Sequence, residues 1–257
     1  MSGKNVSIFW LGQMGLMVKA GDTTICIDYF ASPHKGRQTE APLSDEELTG
    51  VSAFLGTHDH LDHIDHEAWK KWAKVNPKAK FIFSKAHMAG VLADGIAPEN
   101  AIGVNEGESV QIGDVKISAI AAAHEFLDYD EATGVYPHLC FIIEACGVRI
   151  LHAGDTVRYE GMLPKLQAFG EFDVALLPIN GRDADKLRRD CIGNMTFQEA
   201  ADLAGELSVK LAIPGHWDMF ADNSEDPNKF VDYLTVKYKG KVSGRVPKLM
   251  EEITVVK

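Results

Sequence analysis

Three histidines and two aspartates lie within the six residues 58–63, just after an apolar run that ends at Gly56. His58, His60, Asp62 and His63 form the pattern H-x-H-x-D-H. Imidazole nitrogens and carboxylate oxygens suit divalent ions, and a loop directs its side chains less regularly than a helix does. A solvated polar turn is the alternative, but this spacing favours a metal centre. The chain must then fold so that further ligands reach the end of this strand.

Three more candidate ligands each follow a strand-like run elsewhere in the chain. They are His124, Asp155 and His216. Taken singly, a histidine after a strand is more often a hydrogen-bonded surface residue, and the Gly-Asp pair at Asp155 is more often a turn. Strand ends on one edge of a sandwich would converge in one cleft, so together with the histidine-rich segment the three predict a single site.

Short apolar runs between Gly, Asn and Asp predict many strands, and helical spacing predicts fewer helices. Thr196 with Glu199 three residues on forms a capping-box pattern, which predicts a helix start. Two polar segments, 31–43 and 181–194, are interpreted as long loops of functional interest. The predicted strands are 6–10, 16–20, 23–29, 51–56, 80–84, 110–112, 115–121, 139–145, 148–152, 174–178, 211–214 and 253–256, and the predicted helices are 67–75, 86–93, 159–168, 197–207 and 227–237.

The 257 residues can bury a substantial core, and we expect one hydrolase domain over residues 1–257. A net charge of −11 disfavours nucleic acid as a partner. The four cysteines form no C-x-x-C pair, which favours free thiols. The N-terminal sequence has no long apolar segment of the signal-peptide type, and no run is apolar enough to span a bilayer. These features predict a cytoplasmic protein with no membrane partner.

The order of these motifs resembles that of the metallo-β-lactamase superfamily over nearly the whole chain. The resemblance implies an α/β fold, an αββα sandwich of two mixed β-sheets flanked by helices, with the site at one edge. It also implies a ligand set for two divalent ions. One ion would bind His58, His60 and His124; the other would bind Asp62, His63 and His216; Asp155 would bridge them. Asp28 resembles the family's aspartate that orients the ligands from behind.

Within the superfamily the chain looks closest to the L-ascorbate-6-phosphate lactonases. The matching stretches include Phe9-Trp10-Leu11-Gly12, Ile27-Asp28-Tyr29 and the Met195-Thr196 helix start. The chain departs from those lactonases in lacking their extra terminal segments and in carrying a histidine at position 124. The histidine shifts the expected ion toward zinc, with manganese as the alternative.

The resemblance implies a metal-dependent hydrolase that opens a small cyclic ester, for example a phosphorylated sugar lactone such as L-ascorbate 6-phosphate. A hydroxide bridging the ions would attack the carbonyl carbon, while Asp62 or Asp155 orients it and takes its proton. Phosphate recognition would need cations near the cleft. The substrate-binding candidates are Arg182, Asn180 and Arg188 in and beside the second long loop, with His34, Lys35 and Arg37 in the first.

Other activities remain open at this point. The same two-metal site suits a phosphodiesterase that acts on a small cyclic phosphodiester. A non-catalytic binding protein is disfavoured by the complete ligand set. An iron enzyme of this fold is disfavoured because that branch typically has Glu where His60 stands. The expected partner is a small-molecule substrate, and the related lactonases suggest a homo-oligomer.

Overall fold

The structure is a computed structural model that describes residues 5–257. Residues 1–4 belong to the expected 1–257 domain and to the N-terminal segment considered for a signal peptide, and they lie outside the described residues. The strands are β1 Val6–Gly12, β2 Gly15–Ala20, β3 Thr23–Ile27, β4 Ala53–Leu55, β5 Lys80–Ser84, β6 Ala101–Val104, β7 Ser109–Ile112, β8 Val115–Ala121, β9 Leu139–Ala145, β10 Val148–His152, β11 Val174–Pro178, β12 Leu211–Gly215, β13 Ser243–Gly244 and β14 Glu252–Val255. The α-helices are α1 His66–Val75, α2 Met88–Ala93, α3 Met162–Gln167, α4 Ala184–Arg188, α5 Phe197–Glu206 and α6 Pro227–Tyr238.

The strands form two seven-stranded sheets, each with an antiparallel and a parallel part. The first has the order β14-β1-β2-β3-β4-β5-β6 and the second β13-β12-β11-β10-β9-β8-β7. In the first sheet β14 to β3 pair antiparallel and β3 to β6 pair parallel. In the second sheet β13 to β10 pair parallel and β10 to β7 pair antiparallel. Both sheets are therefore mixed, as expected.

The two sheets pack face to face, with helices on both outer faces. The central core joins residues of both sheets, such as Ile8 and Ile27 of the first with Phe141 and Ile150 of the second. Helices α1 and α2 cover the first sheet through a second core. Helices α3, α5 and α6 cover the other sheet through a third. The αββα sandwich of two mixed sheets is confirmed, because side chains that alternate along each strand face the central core on one side and helices on the other.

Some predicted elements differ from the structure for local reasons. Helix α3 is shorter than the predicted 159–168, because Gly161 before it has φ +91°, outside the helical region. The predicted loop 181–194 contains α4, whose first N–H groups are capped by the Asp183 carboxylate. Strand β6 was missed because its four residues are too few to show a strand period. They include Gly103, where a Cβ would lie 3.1 Å from the Cα of Lys85. Strand β13, only two residues long, was also missed.

None of the helices formed by residues 5–257 combines the length and apolar character that a membrane crossing requires.

Candidate metal centre

The histidine-rich segment forms the tight turn between β4 and α1. The turn folds back closely on its own strand: a Cβ on Gly56 would lie 2.2 Å from Cγ1 of Ile64. Asp65 then ends the turn, because its side chain accepts the N–H of Ala68 and caps α1. The motif residues are thus held between a buried strand end and a capped helix.

One cluster of potential ligands consists of His58, His60 and His124. The His58 Nε2 and His60 Nδ1 atoms are 2.9 Å apart, and His124 Nε2 lies 3.3 Å from the same His60 nitrogen. His58 and His124 are buried, whereas His60 is exposed toward the cleft. His124 follows β8 of the second sheet, whereas His58 and His60 follow β4 of the first, so this cluster joins the two sheets.

A second cluster consists of Asp62, His63 and His216. The His63 Nε2 atom lies 3.6 Å from Oδ2 of Asp62, and His216 Nε2 lies 3.8 Å from the same oxygen. All three residues are buried. His216 directly follows β12 and has a left-handed backbone, φ 58°, so its side chain is set by the strand end.

Asp155 lies between the two clusters. Its Oδ2 is 3.2 Å from His216 Nε2 and 4.0 Å from His124 Nε2, and its Oδ1 is 3.4 Å from His63 Nε2. It follows β10 through Gly154, where φ is +57° and a Cβ would lie 2.9 Å from Thr57. The carboxylate can therefore contact ions in both clusters.

Asp28 lies behind the ligands, at the end of β3. Its Oδ1 accepts the N–H of Thr57 at 2.8 Å, and its Oδ2 accepts the Thr57 hydroxyl at 2.7 Å. The same Oδ2 lies 2.7 Å from Nδ1 of His63. Such a carboxylate–imidazole contact holds one ring nitrogen and leaves the other for a metal ion. The family resemblance implied this role for Asp28.

The donor set fits divalent ions. Two buried atoms that face each other, His63 Nε2 and Asp155 Oδ1, have no hydrogen-bond partner among the described residues. Burial, and then the charge of His63, lowers the pKa of His58 well below its usual range, and burial lowers the pKa of His124 to about 4. Neutral imidazole is the form that binds metal. The two His/Asp clusters thus fit a dinuclear site.

The buried carboxylates need positive charge. Burial alone would raise the pKa of Asp155, but His216 and His63 hold it well below its usual range. Burial opposes protonation of His63, yet Asp155, Asp28 and Asp62 together raise its pKa well above the usual value. A protonated imidazole offsets the cost of burying these carboxylates, and divalent ions bound here would offset it in the same way.

Gln13 belongs to the site and was missed by the sequence analysis. It lies in the β1–β2 turn with φ 54°, and it is buried. Its amide nitrogen donates to Oδ2 of Asp62 at 2.9 Å and lies 3.2 Å and 3.3 Å from the two ring nitrogens of His216. Its carbonyl accepts the His216 N–H at 3.1 Å. A polar residue inside an otherwise apolar hairpin was the available signal.

A cleft of about 270 Å³ opens above the clusters. Its floor contains ligands from both clusters together with Asp155. Its walls come from three segments, namely the histidine-rich turn, the chain after α4 and the chain after β12. The wall residues are Leu61, Asp190, Cys191, Ile192, Phe220 and Asn223.

The predicted substrate-binding residues do not line this cleft. Arg182 forms a two-pronged ion pair with Glu199 of α5, with N–O distances of 2.7 Å and 2.8 Å. Arg188 lies on α4 with 73% of its side chain exposed, 3.7 Å from Asp185. Asn180 is buried behind the wall, where its amide donates to Asn223. Of the three, only Asn180 contacts a wall residue directly.

The sheet order and the two ligand clusters define a protein of the metallo-β-lactamase type. Residues 23–217 match the family described as beta-lactamase superfamily domain. Since this match covers well over half of the chain, the protein belongs to that family.

Similar proteins are found among both sequences and solved structures. The chain is 28% identical to a UPF0173 metal-dependent hydrolase of Pyrococcus furiosus, over 91% of this chain and 94% of that protein. It is 29% identical to one of Saccharolobus solfataricus, over 90% and 92%. The structure of Igni18, a metallo hydrolase from Ignicoccus hospitalis, matches with a TM-score of 0.75 at 22% identity, over 98% and 99%. The structural match supports the fold alone, and the placement near the ascorbate-phosphate lactonases stays a prediction.

Proposed function

We propose that the protein is a metal-dependent hydrolase that opens a small cyclic ester. The observation that carries the proposal is the convergence of two clusters of three candidate ligands each, with Asp155 between them, beneath one open cleft that five of these seven residues line. Two divalent ions bound there would supply Lewis acidity and lower the pKa of a water molecule toward neutrality. Zinc suits the histidine-rich set, and manganese is the alternative.

The aspartates have different positions in this scheme. Asp155 is almost fully buried between the clusters, which suits a bridging ligand. Asp62 and Asp155 both line the cleft, but the Asp62 side chain is the more exposed of the two, at 12% against 4%, so we assign to its carboxylate the proton taken from water on the substrate side. Gln13 holds Oδ2 of Asp62 through its amide and so limits the orientation of that carboxylate.

The cleft favours an ester over a phosphodiester. No Lys or Arg belongs to the described cleft lining, and Asp190 adds a carboxylate to its wall. A phosphodiester carries a negative charge on its non-bridging oxygens, whereas the ester group of a lactone is uncharged before attack. The phosphodiesterase reading therefore remains the second candidate. Cytoplasmic localisation, a small-molecule partner and a homo-oligomer also stay predictions.

The experiment is hydrolysis by chelated protein that is reloaded with zinc or with manganese. The panel contains plain lactones, phosphorylated sugar lactones and a cyclic phosphodiester. We expect metal-restored lactone opening, and a loss of two orders of magnitude or more, roughly, in His60→Ala. His87→Gln is the matched control, because His87 lies outside both clusters and contacts the Pro137 carbonyl.

The outcomes separate the candidates. Phosphodiester cleavage without lactone opening would promote the second candidate. The role of Asp62 is tested by Asp62→Asn, which should lower kcat by about 10²–10⁴-fold while the bound metal is measured in parallel. Full activity in Asp62→Asn would show that another group takes the proton.

A further inference from the structure

The walls of the cleft are more apolar than its floor. Leu61, Ile192 and Phe220 contribute side chains to the wall, and Cys191 adds a thiol. Leu61 is 49% exposed and Ile192 37% exposed, so both present apolar surface to solvent directly beside the metal ligands. Single exposed apolar residues are ordinary, but a group of them around one concave site is typical of ligand binding.

Two further exposed apolar residues, Phe126 and Leu187, lie on segments next to the wall. Phe126, 64% exposed, forms a backbone bridge with the ligand His124. Leu187, 56% exposed, lies on α4 just before the wall segment that begins at Asp190. Exposed apolar side chains therefore lie close in sequence to cleft residues on two separate segments. A substrate with an apolar substituent would bury part of this surface.

The basic residues Arg182, Lys186 and Arg189 of the second long loop are paired outside the cleft. Lys186 is buried, and its ammonium donates to the Asn180 carbonyl. Arg189 donates to the Asp222 carbonyl at 3.0 Å. Together with the pairing of Arg182 to Glu199 described above, these contacts leave Asp190 as the charged wall residue beyond the ligands. A phosphate held at this wall, away from the ions on the floor, would meet a carboxylate rather than a Lys or Arg side chain.

The size of the cavity sets a further limit. A volume of about 270 Å³ is at or below the lower end of ordinary small-molecule pockets. It suits a small ring with a short substituent better than a nucleotide or a long chain.

We propose that the cleft selects an uncharged cyclic ester with a short apolar substituent and discriminates against phosphorylated substrates. The inference rests on the proposed function, because it names the substrate class of the same site. The ring carbonyl lies at the floor, and the substituent packs against Leu61, Ile192 and Phe220. The carboxylate of Asp190 repels an anionic group at the wall.

The test compares kcat/KM across lactones that differ only in the substituent. One series lengthens an alkyl group by single methylenes; the other carries a phosphate or carboxylate at the same position. We expect kcat/KM to rise about four-fold per methylene until the substituent exceeds the cavity. The phosphorylated analogue should react about ten-fold more slowly or worse at low ionic strength. Added salt should reduce this charge penalty and leave the methylene dependence unchanged.

Three variants locate the effect. Ile192→Ser should flatten the dependence on alkyl length, whereas Val236→Ser, a matched exposed site on α6, should not. Asp190→Asn should raise kcat/KM for the phosphorylated analogue selectively. Asparagine suits this test because Asp190 has φ 53°, a backbone region that asparagine tolerates.

The possible failures are distinguishable. If no lactone of either series is opened, the proposed function fails and this inference falls with it. If lactones are opened but the phosphorylated analogue is preferred, the reaction stands and the inference is overturned. Loss of that preference in Arg37→Ala would then assign anion binding to Arg37, whose Nη2 has no hydrogen-bond partner among the described residues.

Discussion

Replacement of Gln13 by alanine would remove one buried amide from the second ligand cluster and little else. The Gln13 N–H donates to Asp218 at 2.8 Å, and its carbonyl accepts the His216 N–H. Both contacts use main-chain atoms of Gln13, so they remain in Gln13→Ala. What is lost is the 2.9 Å hydrogen bond from the amide to Oδ2 of Asp62, together with the amide's 3.2 Å and 3.3 Å contacts with the ring of His216. Without it, the Asp62 carboxylate is free to turn before a metal ion binds.

The expected loss of metal affinity follows from the strength of the hydrogen bond between Gln13 and Asp62. A buried hydrogen bond to a charged group contributes about 1.5–3 kcal/mol. If the variant must spend about 2 kcal/mol to order Asp62 when the ion binds, its affinity for that ion falls about 30-fold. This factor lies within the range known for residues that orient metal ligands. The effect should fall on the ion held by Asp62, His63 and His216. The cluster of His58, His60 and His124 has no contact with Gln13 among the described hydrogen bonds.

Competition against a chromophoric chelator measures this directly. We expect one metal equivalent of Gln13→Ala to bind about 30-fold more weakly and the other to be unchanged. Activity plotted against free metal should shift by the same factor and reach a plateau within a few-fold of the parent protein. Gln167→Ala, at an exposed site on α3, is the control. Unchanged affinity for both equivalents, or equal weakening of both, would refute the reasoning.

Four further changes have expected outcomes. Removal of metal should lower Tm by about 10–20 °C reversibly, since two ions at a hundred times their Kd contribute about 5 kcal/mol. Gly56→Ala should destabilise by about 1–3 kcal/mol in urea unfolding, because its Cβ would meet Ile64 at 2.2 Å. Thr196→Ala should lose about 1 kcal/mol by the same measurement, because Thr196 and Glu199 form a capping box. Burial lowers the pKa of His138 to about 4 from 6.5, so the folded state binds fewer protons than the unfolded state between these values. The metal-free protein should therefore lose stability as pH falls from about 6.5 to 4, and less steeply in His138→Gln.

The two stability variants each have a matched control. Gly90→Ala, where the nearest atom is 3.8 Å from the added Cβ, should not destabilise as Gly56→Ala does. Thr235→Ala, inside α6, removes a threonine without removing a cap. A Tm that does not respond to chelation, or controls that match their test variants, would contradict the corresponding argument.

Local sequence signals predicted most of the elements well. The apolar runs at β5, β8, β9, β10 and β11 have the predicted bounds, because a buried strand needs a continuous apolar segment and ends where polar residues begin. The capping box at Thr196 also depends only on residues three apart, and it is present. The short helix α4 and the four-residue β6 were missed, because segments of this length carry too little periodicity.

The ligand set was also visible in the sequence, but partly through resemblance. The H-x-H-x-D-H segment is local and indicates metal chemistry without a structure. His124, Asp155 and His216 are isolated in the sequence, and only the ends of β8, β10 and β12 bring them beside that segment. Pairing between distant strands is a property of the whole fold, so no local signal contains it.

The composition and the order of the motifs therefore determined most of the strands, the family and the candidate metal ligands of this protein. Only the tertiary structure decided what surrounds them. Gln13 reaches Asp62 across 49 residues of sequence, and Arg182 turns to Glu199 instead of the cleft. A side chain's role at a site depends on which distant groups compete for its hydrogen bonds. The packing of the two sheets decides which of these groups lie within hydrogen-bonding distance, so the partner of a side chain cannot be predicted from its neighbours in the chain.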